Sequence, residues 1–130
     1  MIDIQKNITT NKYNLEKRTL KYSKNTIEFL KMVPITIYTN EIIKQLIRAS
    51  TSIGANYIEA NDSLGLKDFL MHLRICRKES KETIYWFKLI DLDDPTLKLK
   101  QQSLINEASQ FVRIFSTMVN NTKQKFDSKL

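Results

Sequence analysis

Glycine and proline are scarce here, with two of each in 130 residues. Tight turns between strands draw on both residue types. So few of them exclude a loop-rich all-β fold and point to an all-α one. A single cysteine, Cys76, excludes an intrachain disulfide and a thiolate metal cluster. Its helical neighbours Leu73, Ser80 and Ile84 suggest a small buried residue. A single histidine, His72, removes the di-metal carboxylate bundle, which needs Glu-x-x-His on two helices. It also leaves no Ser/His/Asp or Cys/His arrangement to build. Asp68, four residues before His72, reads as its surface partner. The stretch "SLGLKD" lacks the glycines of a phosphate-binding loop. No apolar run reaches membrane-spanning length, and "MIDIQKNITTNKYN" has no signal-peptide core. The expectation is a cytoplasmic protein with no membrane contact, no metal, no cofactor and no enzymatic activity.

What is present is charge of one sign. Lys and Arg number 21 against 14 Asp and Glu, a formal net charge of +7. The excess lies at the two ends: residues 1–33 carry seven bases and three acids, and residues 95–130 six and two. The middle, 34–94, is nearly balanced, with eight bases and nine acids. A positive balance suits nucleic acid or another polyanion. It equally suits a Lys-rich surface that serves solubility alone.

At this length the chain forms one domain with one core. Residues 1–13 read as a flexible polar segment, 14–126 as the folded unit and 127–130 as a tail. A first helix is expected from about Asn14 to Met32, closed by Pro34. A second is expected from Asn40 to Asn61, burying Ile42, Leu46, Ala49, Ile53, Tyr57 and Ala60 at steps of three and four. "NDSLG" breaks the pattern. A third helix, Leu66 to Ile90, has Leu66, Phe69, Leu73, Cys76, Ser80, Ile84 and Phe87 as its core face. "DLDDPT" is a turn before a fourth, Leu99 to Lys125, with Leu104, Ala108, Phe111, Phe115 and Met118 on one side. Four such helices with short connections predict an antiparallel up-down-up-down bundle.

Two helices carry more apolar surface than one core needs. Leu20 and Ile27 point nearly opposite to Leu15, Tyr22 and Phe29 on the first. Met71, Ile75, Trp86 and Leu89 lie opposite the core face of the third. Either the core face is misassigned or neighbouring subunits cover these strips, and the pattern favours a homo-oligomer. The third helix also gathers Lys67, Arg74, Arg77, Lys78, Lys81 and Lys88 within an arc of about 100°. Such a stripe can follow phosphates through salt-dependent contacts, with Tyr85 at its edge to stack on a base. On a monomer it reads as a solvated face whose long stems cover apolar neighbours. Repeated around an assembly, weak contacts add. Lys17, Arg18, Lys21 and Lys24 form a second candidate patch on the first helix.

The segments "RASTSIGANYIEA" and "KDFLMHLRICRKESKETIYWFKLI" resemble the four-helix-bundle proteins encoded in intervening sequences of bacterial 23S ribosomal RNA genes. "LEKRTLKYSKNTIEFLKMVP" and "LINEASQFVRIFSTMV" fit as well, so the resemblance spans about residues 14–122. The chain is also similar to the accessory variability protein of diversity-generating retroelements. The resemblance implies an up-and-down four-helix bundle that assembles as a homopentamer with a basic surface; the retroelement protein is associated with nucleic acid and a reverse transcriptase, which makes a nucleoprotein partner an expectation here. It implies no established activity. Gly65 departs from the family pattern, which often has a capping Ser there, followed three residues later by Asp.

Within "SIGANYIEA", Gly54 costs about 1 kcal/mol against Ala inside a helix, so it should serve close approach of a neighbour. Ser52, Gly54 and Ala55 make this the thinnest part of the second helix, where Trp86 or Tyr85 could cross. Asn56 and Glu59 are expected to join Arg48, Lys78, Glu79 or Glu82 in a polar network. The functional expectation is a non-enzymatic, basic, homo-oligomeric bundle that binds RNA or DNA. The rival is a protein-interaction scaffold with no nucleic-acid binding.

Overall fold

The computed structural model describes residues 4–128, with side chains from Asn14 onward. Four helices follow one another: α1 (Ile4–Leu30), α2 (Ile37–Asn61), α3 (Leu66–Lys88) and α4 (Pro95–Ser128). The helix α1 is carried back to Ile4, into the stretch the sequence pattern set apart as flexible. Residues 1–3 and 129–130 of the expected terminal segments lie outside the described residues. The last helix starts at Pro95 because Asp94 caps it, its carboxylate accepting from the N–H groups of Thr96 and Leu97 at 2.8 and 3.1 Å. Thr36 caps α2 in a reciprocal box with Thr39. Gly65 opens α3 with no side-chain cap.

Each helix packs closely on two others, in the ring α1–α2–α3–α4, and among the described residues the diagonal pairs meet only through side chains at the centre. Pairings across the seams run in opposite senses. On α1, Glu16 meets Asn61 and Ser23 meets Ser50; Arg18 meets Glu107 and Tyr22 meets Leu104. Between α2 and α3, Arg48 meets Glu79 and Cys76 meets Ile53. These pairs make the expected antiparallel up-down-up-down bundle. Its centre is aromatic: Tyr22 stands edge-on to Phe111 at 5.3 Å, and Tyr57 and Phe29 lean on Phe115 and Phe87 at 5.8 Å each.

The core faces of α1, α2 and α4 follow the sequence pattern except at Ile42 and Met118, which are half-buried. On α3 the buried face is broader than the expected one. Leu70, Glu79 and Thr83 join Leu73, Cys76, Ser80 and Phe87, while Leu66, Phe69 and Ile84 are only half-buried. The physical reason is the ring: α3 is flanked closely by both α2 and α4, so its covered arc is wider than one stripe. Cys76 is fully buried, and burial pushes its thiol up to about 12.

Candidate nucleic-acid interface

Helix α3 separates its charges. Glu79 and Glu82 face α2, where Arg48 holds both. Asp68 lies on the same side, 3.5 Å from His72. At 1.5 Å and 100° per residue, Arg74, Arg77, Lys81 and Lys88 instead stand along the seam with α4. The Gln101 amide donates to the carbonyls of Phe87 and Ile90 at 2.7 and 2.8 Å, which sets the register of that seam. At that register Lys98 falls about one turn beyond Lys88, and Lys123 falls beside Lys67, with which it lines a common groove. The result is a ridge of bases from two helices, roughly 30 Å long. Among the described residues none of these seven bases has a carboxylate within ion-pairing distance. Lys98 and Lys123 were invisible to a reading of α3 alone; the signal was the antiparallel pairing of α3 with α4.

The second candidate patch is less uniform. Lys17, Lys21 and Lys24 are exposed on α1. Arg18, though exposed, is engaged by α4: its Nε donates to Glu107 at 2.9 Å, and its guanidinium lies 5.3 Å from the centre of the Phe111 ring. The Glu107 hydrogen bond raises its pKa above the ordinary value. Arg18 therefore joins α1 to α4, with its charge already paired to Glu107.

The apolar strips are also redrawn. Leu20 and Ile27 are exposed on α1, Met71 on α3 and Leu89 just past its end, as expected. Ile75 is half-buried. Trp86 is not a bare surface group: it packs against the core, and its indole N–H donates to Glu82 at 3.1 Å. It belongs with Arg48, Glu79 and Glu82 in the α2–α3 network. Tyr85 stands exposed, edge-on to Trp86 at 5.2 Å. The sequence reading missed Ile47 and Ile58, exposed on α2. They share a side of the bundle with Leu20 and Ile27, because Thr19 and Ser23 set α1 against Gly54 and Ser50.

Gly54 does serve close approach, but the neighbour is α1 and neither Trp86 nor Tyr85. A Cβ there would sit 2.9 Å from Thr19 Oγ1 and 3.1 Å from its Cβ. Ser52 donates to the Arg48 carbonyl at 2.5 Å, and Asn56 Nδ2 to the Ser52 carbonyl at 2.9 Å. Both bonds stay inside α2, so Asn56 does not enter the Arg48 network. Glu59 and Ala55 point to solvent, and Glu59 is likewise outside that network.

No helix among the described residues is long and apolar enough to cross a membrane. The comparisons with known proteins agree with the bundle. A crystal structure of a protein with unknown function from the S23 ribosomal protein family of Bacteroides thetaiotaomicron superposes with a TM-score of 0.70 at 23% identity, covering 84% of this chain and 97% of that one. At that identity the likeness speaks for the fold. No curated protein matches the chain significantly. The family described as 23S rRNA-intervening sequence protein matches residues 11–117, most of the described helices. The chain belongs to the 23S rRNA-intervening sequence protein family.

Proposed function

We propose that the protein is a non-enzymatic basic bundle that associates with copies of itself and binds RNA or DNA through phosphate contacts, as part of a cytoplasmic nucleoprotein complex. The observation that carries this reading is the unpaired ridge of bases along the α3–α4 seam. Glu79 and Glu82 of α3 are held by Arg48 of α2, so they do not draw these bases into ion pairs along the helix. Each phosphate neutralised adds a sequence-independent, salt-dependent contribution. Self-association is supported by Leu20, Ile27, Ile47 and Ile58, four large apolar side chains exposed on one side. Copies held at fixed spacing would multiply weak phosphate contacts.

The test is binding of structured RNA and of duplex DNA across a salt series. It is run beside a variant with Lys81, Lys88 and Lys98 changed to Glu, all three being exposed. The expected result is binding that falls steeply with salt and is lost in a variant of unchanged helicity and mass. An absence of binding to either probe at low salt sinks this reading. It leaves the protein-interaction scaffold, which the exposed apolar face of α1 and α2 favours.

A further inference from the structure

A groove of about 1000 Å³ opens between the start of α3 and the end of α4. Its floor is apolar, made by Leu64, Leu70, Met71, Ile75 and Phe126. Lys67, Arg74, Lys78 and Lys123 stand around that floor, with Asp68 and Asp127 at the edge. Leu64 is fully exposed and Met71 nearly half-exposed. A large apolar side chain gains about 1.5–3 kcal/mol when buried, so the floor favours a flat apolar group laid on it. The volume lies at the upper end of the range of about 300–1,000 Å³ usual for small organic ligands.

This groove is one end of the ridge of bases, and an aromatic ring stands at each end. Phe126 is half-buried in the groove. Tyr85 is 57% exposed and edge-on to Trp86. On the turn of α3, Tyr85 shares a face with Lys67, Arg74 and Lys78, and the register with α4 sets the two rings about 30 Å apart along the bundle. The pattern of α3 shows Tyr85 alone; Phe126 is brought to the ridge by the antiparallel seam.

We propose that the α3–α4 surface selects single-stranded RNA or DNA over duplex. One unpaired base lies in the groove against Phe126 and Met71, and another stacks on Tyr85. The phosphates fall on Lys67, Arg74, Lys78 and Lys81. A duplex turns its phosphates outward and keeps its bases stacked inside, so it would press charged, hydrated oxygens onto the apolar floor. An unpaired base offers that floor a flat ring instead. Positive groups that follow a backbone, with aromatics on which bases stack, are what single-strand binding needs. The base face and the phosphate are common to RNA and DNA. An acidic amphipathic peptide would also match the groove by charge. The bases, however, continue along the seam to Lys81, Lys88 and Lys98, well past the floor, as a polyanion requires and a short helix does not. The proposal rests on the nucleic-acid reading above and narrows it.

The experiment compares unstructured RNA and DNA oligonucleotides with the duplexes made by annealing each to its complement. The wild type should bind the single strands about tenfold or more tightly than the duplexes. Tyr85→Ala and Phe126→Ala should each weaken single-strand binding about fivefold to a hundredfold, the size of one base–aromatic stack. Duplex binding and the salt slope should not change. Tyr85→Phe keeps the ring and should bind as the wild type does. Helicity and subunit mass are checked on each, and the exposed Tyr85 keeps the test open should Phe126→Ala misfold. Equal affinity for strand and duplex overturns the inference and leaves phosphate binding standing. So do alanine variants that bind single strands normally, including the case in which an acidic peptide occupies the groove instead. Binding of neither strand nor duplex at low salt overturns both readings.

Discussion

Thr19 of α1 occupies the space a side chain at position 54 would need: its Oγ1 lies 2.9 Å from where a Gly54 Cβ would stand. The hydroxyl cannot easily move away, because it donates to the carbonyls of Leu15 and Glu16 at 2.9 and 3.0 Å, and a β-branched residue in a helix has few rotamers. Gly54→Ala gains about 1 kcal/mol of helix propensity but overpacks this seam at a cost of about 1–3 kcal/mol. We expect a net loss in urea denaturation, and a smaller loss for the same change in a Thr19→Ala background. Equal losses in both backgrounds would mean that Thr19 is not the obstacle.

Arg48 holds a buried carboxylate. Its Nη1 donates to Glu79 at 3.2 Å, and its other nitrogen to Glu82, which also accepts from Trp86. Glu79 is buried while Arg48 is about half-exposed, so solvent softens the penalty for breaking the pair. Arg48→Met should cost about 2–3 kcal/mol, below the range for a fully buried pair. Adding Glu79→Gln should recover part of it. If Arg48→Met alone proves neutral, the network is an exposed one of little weight.

Arg18 separates structural from functional bases. Arg18→Ala removes its bond to Glu107 and its packing on Phe111. A loss of about 1–2 kcal/mol in stability is expected, with the salt slope of nucleic-acid binding unchanged. A slope that falls by about one, as for a lost phosphate contact, would place Arg18 in the binding set.

Stability should fall in alkali. Burial raises the thiol of Cys76 and the phenols of Tyr22 and Tyr57 above their ordinary values of 9.0 and 10.0. Tyr22 also donates to the Leu104 carbonyl at 2.8 Å, a bond only the neutral phenol can make. Between pH 9 and 11 the unfolded chain therefore loses protons that the folded chain keeps, so the unfolded state binds fewer and stability declines with pH. Urea midpoints at pH 8 and pH 10.5 measure the decline. Cys76→Ala should remove the part that sets in near pH 9. A flat profile across that range contradicts the burial of all three groups.

Fold class and most of the core were legible in the order of residues alone. Scarce glycine and proline excluded a loop-rich all-β fold, and apolar steps of three and four named Leu46, Ile53, Tyr57, Phe111 and Phe115 as buried, because a helix's periodicity is local and survives in the chain's order. What crosses the seams was not legible there, because it depends on packing between helices. Gly54 asked for a close neighbour, but nothing local says that Thr19 rather than Trp86 supplies it. Arg18 looked like one base among four until Glu107, 89 positions away, was brought to it. Lys98 joins the α3 ridge solely through the register that Gln101 sets. Charge partners and groove walls depend on which helices pack and at what height. That choice is made by the whole core at once, and no single helix carries it.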